Sequence, residues 1–310
     1  MARIVFMGTP EFAIPTLSAL DEYHEVVGVV TQPDRRAGRG QKLIPPPVKN
    51  LALELGLPTI QPRMLSEPAA MERLAAWQPD LIVVAAFGQI LKEPVLALPP
   101  HGCLNVHASL LPSYRGASPI TAAILAGEQV TGVTIMRMDE GMDTGPILAQ
   151  AECPIAPGDT TATLSKKLAE LGAELLVESL PAWLSGELQG QPQDDSQATY
   201  CRPLRKKDGH LAWDQPAETL ERQVRAYDPW PGTYTTWQGQ RLNVIRARSW
   251  PTHREPGPPG EVIELGSGLG VLTGQGILEL LEVQLAGKRR MEAAVYARGQ
   301  RDLVGSRLGT

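Results

Sequence analysis

Arg3-Ile-Val-Phe-Met7 is a short apolar run closed by Gly8-Thr9-Pro10, and Phe12, Ile14, Leu17 and Leu20 then follow at helical spacing. Strand, turn and helix in that order open an α/β fold. The pattern continues outward from there. Residues 26–30 and 81–85 are two more unbroken apolar runs, Cys103-Leu-Asn-Val106 reads as a fourth strand, 69–77 is a helix, and 133–138 and 147–153 read as two further strands. Strands that are apolar throughout, rather than alternating, are covered on both faces. The expectation is a Rossmann-like, mostly parallel sheet flanked by helices. The long helical stretch 160–184 ends this domain, placed at 1–188.

From 189 to 198 the sequence is rich in Gln, Gly and Asp and loses its apolar period, so 189–210 reads as a linker. Beyond it, a helical stretch at 216–227 precedes five short runs at 233–237, 241–248, 260–265, 269–273 and 276–285, separated by Gly-rich turns. Five strands at close spacing predict a small OB-like β-barrel over 211–310.

Across 310 residues, 43% hydrophobic and 20% charged, the composition excludes a disordered tail or a coiled coil. Cys103, Cys153 and Cys201 are far apart and form no CxxC pair, which argues against a disulfide framework or structural zinc and for a reducing cytoplasm. No apolar run approaches the ~20 residues of a membrane span, and the start carries no signal pattern. Net charge is −5, yet unevenly spread: residues 1–200 hold 13 Lys+Arg against 22 Asp+Glu, and 201–310 hold 16 against 12. A basic carboxy-terminal third suits an anionic macromolecular partner, although asymmetry of this size also arises by chance.

The first βα turn, Met7-Gly8-Thr9-Pro10-Glu11-Phe12, lacks the second and third glycines of a dinucleotide fingerprint, and no Walker A sequence occurs. NAD and ATP chemistry are disfavoured. Ligands of open parallel sheets still bind beyond the strands' carboxyl ends, which points to the segments after Ala85 and Val106. Asn105 and His107 are two apart at a strand end, so both side chains face one volume. An amide donor beside an imidazole suits acyl transfer, the first steadying an oxyanion and the second exchanging a proton. Spacing alone favours the plainer reading, a pair that ties down the next loop. The acidic turn 138–146 contains Asp139 and Asp143 without the alternation of a calcium loop. If Asp143 reaches His107, it holds the imidazole's tautomer and favours its charged form. The loop 32–47 carries Arg35, Arg36, Arg39 and Lys42 against one Asp. Its length, with no expected structure of its own, marks it as either a functional clamp for an RNA end or a solvated surface loop.

Asn105-Val-His107, the adjoining Ser109-Leu-Leu-Pro112, and Asp143 in an Asp-Thr-Gly context resemble the folate-dependent formyltransferases, in order and at family spacing. The likeness covers nearly the whole chain. Residues 6–12, the loop 31–43, Gly132-Val-Thr-Ile135, Asp228-Pro-Trp-Pro231 and Ala286-Gly-Lys288 resemble the branch that formylates methionyl-initiator tRNA. The resemblance implies a catalytic group of Asn105, His107 and Asp143. It also implies folate contacts from Ser109, Leu110, Leu111 and Pro112, and a pterin pocket from Phe87, Gly88, Gln89 and Ile90 with Asp139 nearby. The implied donor is 10-formyltetrahydrofolate, the acceptor is the methionyl α-amino group on initiator tRNA, and no metal is required. Arg39, Lys206 and Lys207 match tRNA-contacting positions, and charge adds Arg35, Arg36, Lys42, Lys288, Arg289 and Arg290. A cytoplasmic monomer serving translation initiation is expected. The alternative is an amino-sugar nucleotide N-formyltransferase with the same catalytic group, and the basic loop and basic final third favour RNA over it.

Overall fold

The computed structural model describes residues 1–37, 42–252, 256–266 and 268–309. In chain order the elements begin with β1 (Arg3–Gly8), α1 (Ile14–Tyr23), β2 (Glu25–Val30), β3 (Arg35–Ala37), β4 (Lys42–Ile44), α2 (Pro47–Glu54) and β5 (Thr59–Ile60). There follow α3 (Pro68–Ala76), β6 (Leu81–Ala85), α4 (Glu93–Leu96), β7 (Cys103–His107), β8 (Arg115–Gly116), α5 (Pro119–Ala126), β9 (Val130–Arg137), β10 (Ile147–Pro154) and α6 (Thr161–Leu184). The remainder is β11 (Tyr200–Cys201), α7 (Ala217–Ala226), β12 (Thr233–Trp237), β13 (Gln240–Trp250), β14 (Val262–Leu265), β15 (Gly268–Leu272), β16 (Ile277–Leu285), β17 (Met291–Glu292) and α8 (Ala293–Arg298).

Two compact units result, one comprising Met1–Pro119, Val130–Pro154 and Ser165–Cys201, the other Ile120–Gln129, Ile155–Leu164 and Arg202–Thr310. The chain is therefore not divided by one cut. Within the second unit, Thr161 Oγ1 donates to the Ala226 carbonyl at 2.6 Å and Arg225 Nη1 to the Asp159 carbonyl at 3.0 Å, which ties 155–164 to α7. The stretch expected as a linker divides at Cys201, and its amino-terminal half is built into the first unit.

The first unit holds a seven-stranded sheet of order β10-β9-β7-β6-β1-β2-β5. The strands from β7 to β5 run parallel, and β9 and β10 are antiparallel additions at one edge. Ile4, Val5, Phe6 and Met7 are all fully buried, so both sheet faces are covered, as continuous apolar strands require. Gly28 permits the closest approach: a Cβ there would run into the indole of Trp77, which packs across β2. The parallel strands place the ends of β1, β2, β6 and β7 along a single edge.

The second unit is antiparallel, with order β12-β13-β16-β15-β14 and β17 paired to β16. Its edge strands are joined by the end of the chain. Val262 N donates to Ser306 O at 2.9 Å, Leu308 N to Gly260 O at 2.8 Å, and Gly309 N to Thr236 O at 2.8 Å. This closure removes the open edges that would otherwise template pairing with another chain. Leu242, Val244, Val262, Val271, Leu280 and Leu308 fill the interior.

One expectation is corrected in the loop 32–47. Arg35–Ala37 pairs antiparallel with Lys42–Ile44, so the segment is a hairpin and has structure of its own. Three-residue strands with Leu43 and Ile44 exposed bury no face, and an apolar period cannot reveal them. The hairpin's base is anchored by Asp34, which accepts from Lys49 Nζ at 2.8 Å and Gln61 Nε2 at 2.8 Å. Those bonds, Lys49's first, hold the Asp34 carboxyl below its usual range.

Candidate active site

β7 ends in Asn105-Val-His107, with Asn105 and His107 on one side of the strand and both buried. The loop after β9 folds back across that side and brings in Asp143. Its Oδ1 lies 3.5 Å from Asn105 Nδ2 and 3.6 Å from His107 Nδ1, while Oδ2 accepts from Gly116 N at 2.8 Å. On the far side of the imidazole, Nε2 sits 3.1 Å from the Tyr114 carbonyl. A carbonyl only accepts, so Nε2 carries hydrogen, and any exchangeable proton resides on Nδ1, facing the carboxylate. A second proton there makes an imidazolium held between two acceptors.

Two residues of the site have left-handed backbones without being glycine: Tyr114 at φ 60° and Asp143 at φ 55°. Each such conformation costs about 1–3 kcal/mol and persists only where its surroundings hold it. The holding residues come from 191–201. Thr199 Oγ1 accepts from Tyr114 N at 2.8 Å, and β11 pairs with β8 immediately after Tyr114. Gln193 Nε2 donates to the carbonyls of Asp143 at 2.8 Å and Gly145 at 2.7 Å. Its Oε1 accepts from Arg115 Nε at 3.0 Å and Nη2 at 2.8 Å. Arg115 is only 1% exposed and also donates to Asp195 Oδ1 at 2.8 Å. Burial works against its charge, but the bonds to Asp195 and Tyr200 outweigh burial and hold its pKa above the ordinary value. Nothing in the sequence pattern singled out Arg115 or Gln193.

Of the expected folate contacts, Ser109 and Leu111 are buried, the Ser109 hydroxyl donating to Ser113 O at 2.6 Å and Leu111 N to Thr134 Oγ1 at 3.0 Å. Leu110 and Pro112 are half-buried between them. Phe87, Gly88, Gln89 and Ile90 leave from the end of β6, next to β7, so both groups flank one crevice edge. Phe87 is buried, its carbonyl accepting from Thr9 Oγ1 at 2.9 Å. The Gln89 side chain spans Leu65 N and Pro62 O, and Ile90 is exposed. Asp139 is exposed and caps its own turn, accepting from Gly141 N and Thr144 Oγ1. The expected RNA contacts Arg35, Arg36 and Lys42 are exposed on the hairpin of the first unit, and Lys206, Lys207, Lys288, Arg289 and Arg290 are exposed on the second. Arg39 lies outside the described residues.

Two buried cysteines of this unit have raised thiols. Burial pushes Cys103 up to about 12 and also raises Cys201, whose Sγ lies 3.4 Å from the Tyr114 carbonyl. Among the described residues, no three His, Cys, Asp or Glu side chains gather as a metal-binding group.

A parallel sheet presenting an amide, an imidazole and a carboxylate at one strand end, followed by an antiparallel barrel, is matched by two family profiles. Formyl transferase matches residues 2–180, and formyl transferase, C-terminal domain, matches residues 203–301. The chain belongs to the formyl transferase family. Within it, the chain is 50% identical over 309 residues to the methionyl-tRNA formyltransferase of Roseiflexus castenholzii, covering 99% of each chain. It is 52% identical over 301 residues to that of Chloroflexus aggregans, covering 96% of this chain and 97% of the relative. Among solved structures, WlaRD, a sugar 3N-formyl transferase crystallised in the presence of dTDP and 5-N-formyl-THF, superposes with a TM-score of 0.65 at 20% identity. That match covers 93% of this chain and 99% of WlaRD and shows the shared fold.

Proposed function

We propose that the protein transfers the formyl group of 10-formyltetrahydrofolate to the α-amino group of methionyl-initiator tRNA, yielding N-formylmethionyl-tRNA. The observation that carries this reading is identity at half of all positions, over the full length of both chains, with a methionyl-tRNA formyltransferase. The site chemistry agrees with it. The amine attacks the formyl carbon, and Asn105 Nδ2 donates to the oxyanion as the carbonyl becomes tetrahedral. The amine's proton passes to His107 Nδ1, where the Asp143 carboxylate stabilises the imidazolium. Collapse breaks the bond between the formyl carbon and the folate nitrogen, which takes up the proton as tetrahydrofolate leaves. Ser109, Leu110, Leu111 and Pro112 with Phe87, Gly88, Gln89, Ile90 and Asp139 hold the folate in the crevice at the ends of β6 and β7. The exposed cations Arg35, Arg36 and Lys42 of the hairpin, with Lys206, Lys207, Lys288, Arg289 and Arg290, contact the tRNA phosphates.

The test offers formyl-labelled 10-formyltetrahydrofolate with methionyl-initiator tRNA, glycinamide ribonucleotide or an amino-sugar nucleotide as the acceptor. Label on the tRNA alone is expected. Label on the amino sugar in its place overturns the reading.

A further inference from the structure

We infer that Gln193 is a positioning residue for formyl transfer, fixing the backbone of Asp143 so that its carboxylate stays against His107 and Asn105. The inference rests on the reading of those three residues as the catalytic group. The geometry behind it is a closed set of bonds. Both N–H groups of the Gln193 amide are used, one on the Asp143 carbonyl and one on the Gly145 carbonyl, at 2.8 and 2.7 Å. Its oxygen takes two bonds from Arg115, at 3.0 and 2.8 Å. A primary amide has two donors and one acceptor oxygen with two lone pairs, so Gln193 has no capacity left for solvent or substrate.

What it grips is the left-handed turn at Asp143, φ 55°, a conformation uncommon for non-glycine residues that Asp adopts more readily than most but at a cost its surroundings must offset. The turn sits in an exposed loop, where Glu140, Gly141 and Met142 all face solvent. Among the described residues, its carboxylate is restrained by Gly116 N, at 2.8 Å from Oδ2, and by the 3.5–3.6 Å approaches to Asn105 and His107. Without the amide grip the loop can relax towards an ordinary backbone. The carboxylate would then leave contacts that already exceed good hydrogen-bond length. Arg115 in turn holds Gln193. It is a buried cation whose other partners, Asp195 at 2.8 Å and Tyr200 at 3.3 Å, come from the same strand of sequence. The stretch 191–201 thus acts as a strap: Gln193 serves Asp143, and Thr199 serves Tyr114, whose carbonyl holds His107 Nε2.

Gln193→Glu separates positioning from folding. A carboxylate of the same length keeps a partner for the buried Arg115, so the fold is retained, but it sets an acceptor against the Asp143 and Gly145 carbonyls. Steady-state kinetics with 10-formyltetrahydrofolate and methionyl-initiator tRNA are compared for the parent, Gln193→Glu, Asp143→Ala and the double variant, with thermal midpoints alongside. Expected for Gln193→Glu is a kcat about 10-fold or more below the parent, KM for both substrates within about twofold and a midpoint within a few degrees. In the Asp143→Ala background the same change is expected to cost less than about threefold, because the carboxylate being positioned is gone. Should Gln193→Glu fail to fold, Gln193→Ala, which leaves Asp195 on Arg115, is put through the same cycle. A slow Asp143→Ala protein beside Gln193 variants with parental kcat overturns the strap's role, as does a full multiplicative loss in the double variant. Parental turnover in Asp143→Ala overturns the catalytic reading beneath it.

Discussion

Asn105, His107 and Arg115 lie in the interior of the first unit, whereas the buried polar side chains of the second are Thr121, Asp159, Thr233 and Thr235. The second set is fully spent on holding structure. Thr233 Oγ1 donates to Val244 O at 2.7 Å, Thr235 Oγ1 accepts from Trp213 Nε1 at 3.0 Å, Thr121 Oγ1 donates to Thr161 Oγ1 at 3.2 Å because the Thr161 hydrogen is spent on Ala226 O, and Asp159 takes the Ala156 amide at 2.8 Å. In the first unit, Arg115 is just as fully satisfied, but Asn105 and His107 meet Asp143 only at 3.5–3.6 Å. Such loose contacts tighten when a reacting group supplies the missing partner. These four side chains are spent within the fold, although the buried Tyr296 hydroxyl of the same unit has no hydrogen-bond partner among the described residues, whereas Asn105 and His107 keep capacity that a bound group can use.

The strongest way to break this contrast is to remove the unspent groups. Asn105→Ala, His107→Ala and Asp143→Ala are each expected to lower turnover by ~10²-fold or more while the protein stays folded. Turnover of the His107→Ala/Asp143→Ala protein should be close to that of the worse single variant. A loss equal to the product of the two would show that Asp143 does not act through His107.

A smaller effect of the opposite kind is expected in the barrel. Leu308 is 2% exposed and belongs to the tail segment that joins the barrel edges, so Leu308→Ala should lower stability by about 2 kcal/mol or somewhat more. Urea unfolding measures the loss. The kcat per folded molecule with saturating substrates should stay within about twofold, and a larger fall would place the tail in the chemistry.

A third comparison is electrostatic. Asp208 accepts from both ends of the Arg202 guanidinium at 2.8 Å and from Arg205 N at 2.7 Å. The Arg202 bond first, then the backbone bond against the cost of burial, bring its carboxyl down to about 2. A depressed carboxylate stabilises the fold above its unfolded value of ~3.9 and loses that contribution as pH falls through the folded value. Midpoints of the parent and Asp208→Asn should therefore differ at pH 5 and converge between about pH 4 and pH 2. Curves that stay parallel over that window would show the pair to be worth nothing.

The smallest effect concerns the exposed cations. Lys206→Ala and Lys207→Ala should each reduce the slope of log tRNA affinity against log salt by a little under one unit, with tetrahydrofolate affinity unchanged. Binding titrations at several salt concentrations measure both. An unaltered slope would make these lysines solvated surface.

Asn105 and His107 were legible as a pair because strand side chains alternate with period two, and that period survives in sequence. Asp143 was legible as a chemical type, but its contact depends on how far the loop after β9 folds back. The paired segments 35–37 and 42–44 are not legible in the sequence, because strands this short with Leu43 and Ile44 exposed carry no apolar period. Gln193 and Asp195 were absorbed into a linker because polar, glycine-bearing stretches carry no period. Their partner Arg115 lies 78 and 80 residues away in the chain.

Local periodicity, turn residues and apolar runs determined the layered sheet, the antiparallel barrel and the strand end that carries Asn105 and His107, because these arise from neighbours along the chain. Folding alone decided which unit residues 120–129 and 155–164 join, that the chain's end joins the barrel edges, and that a polar stretch grips the Asp143 turn. Each of those depends on hydrogen bonds between groups brought together from distant positions. Such a bond requires only a donor and an acceptor within about 3 Å, and many side chains can supply either, so the sequence alone does not reveal which pairs form.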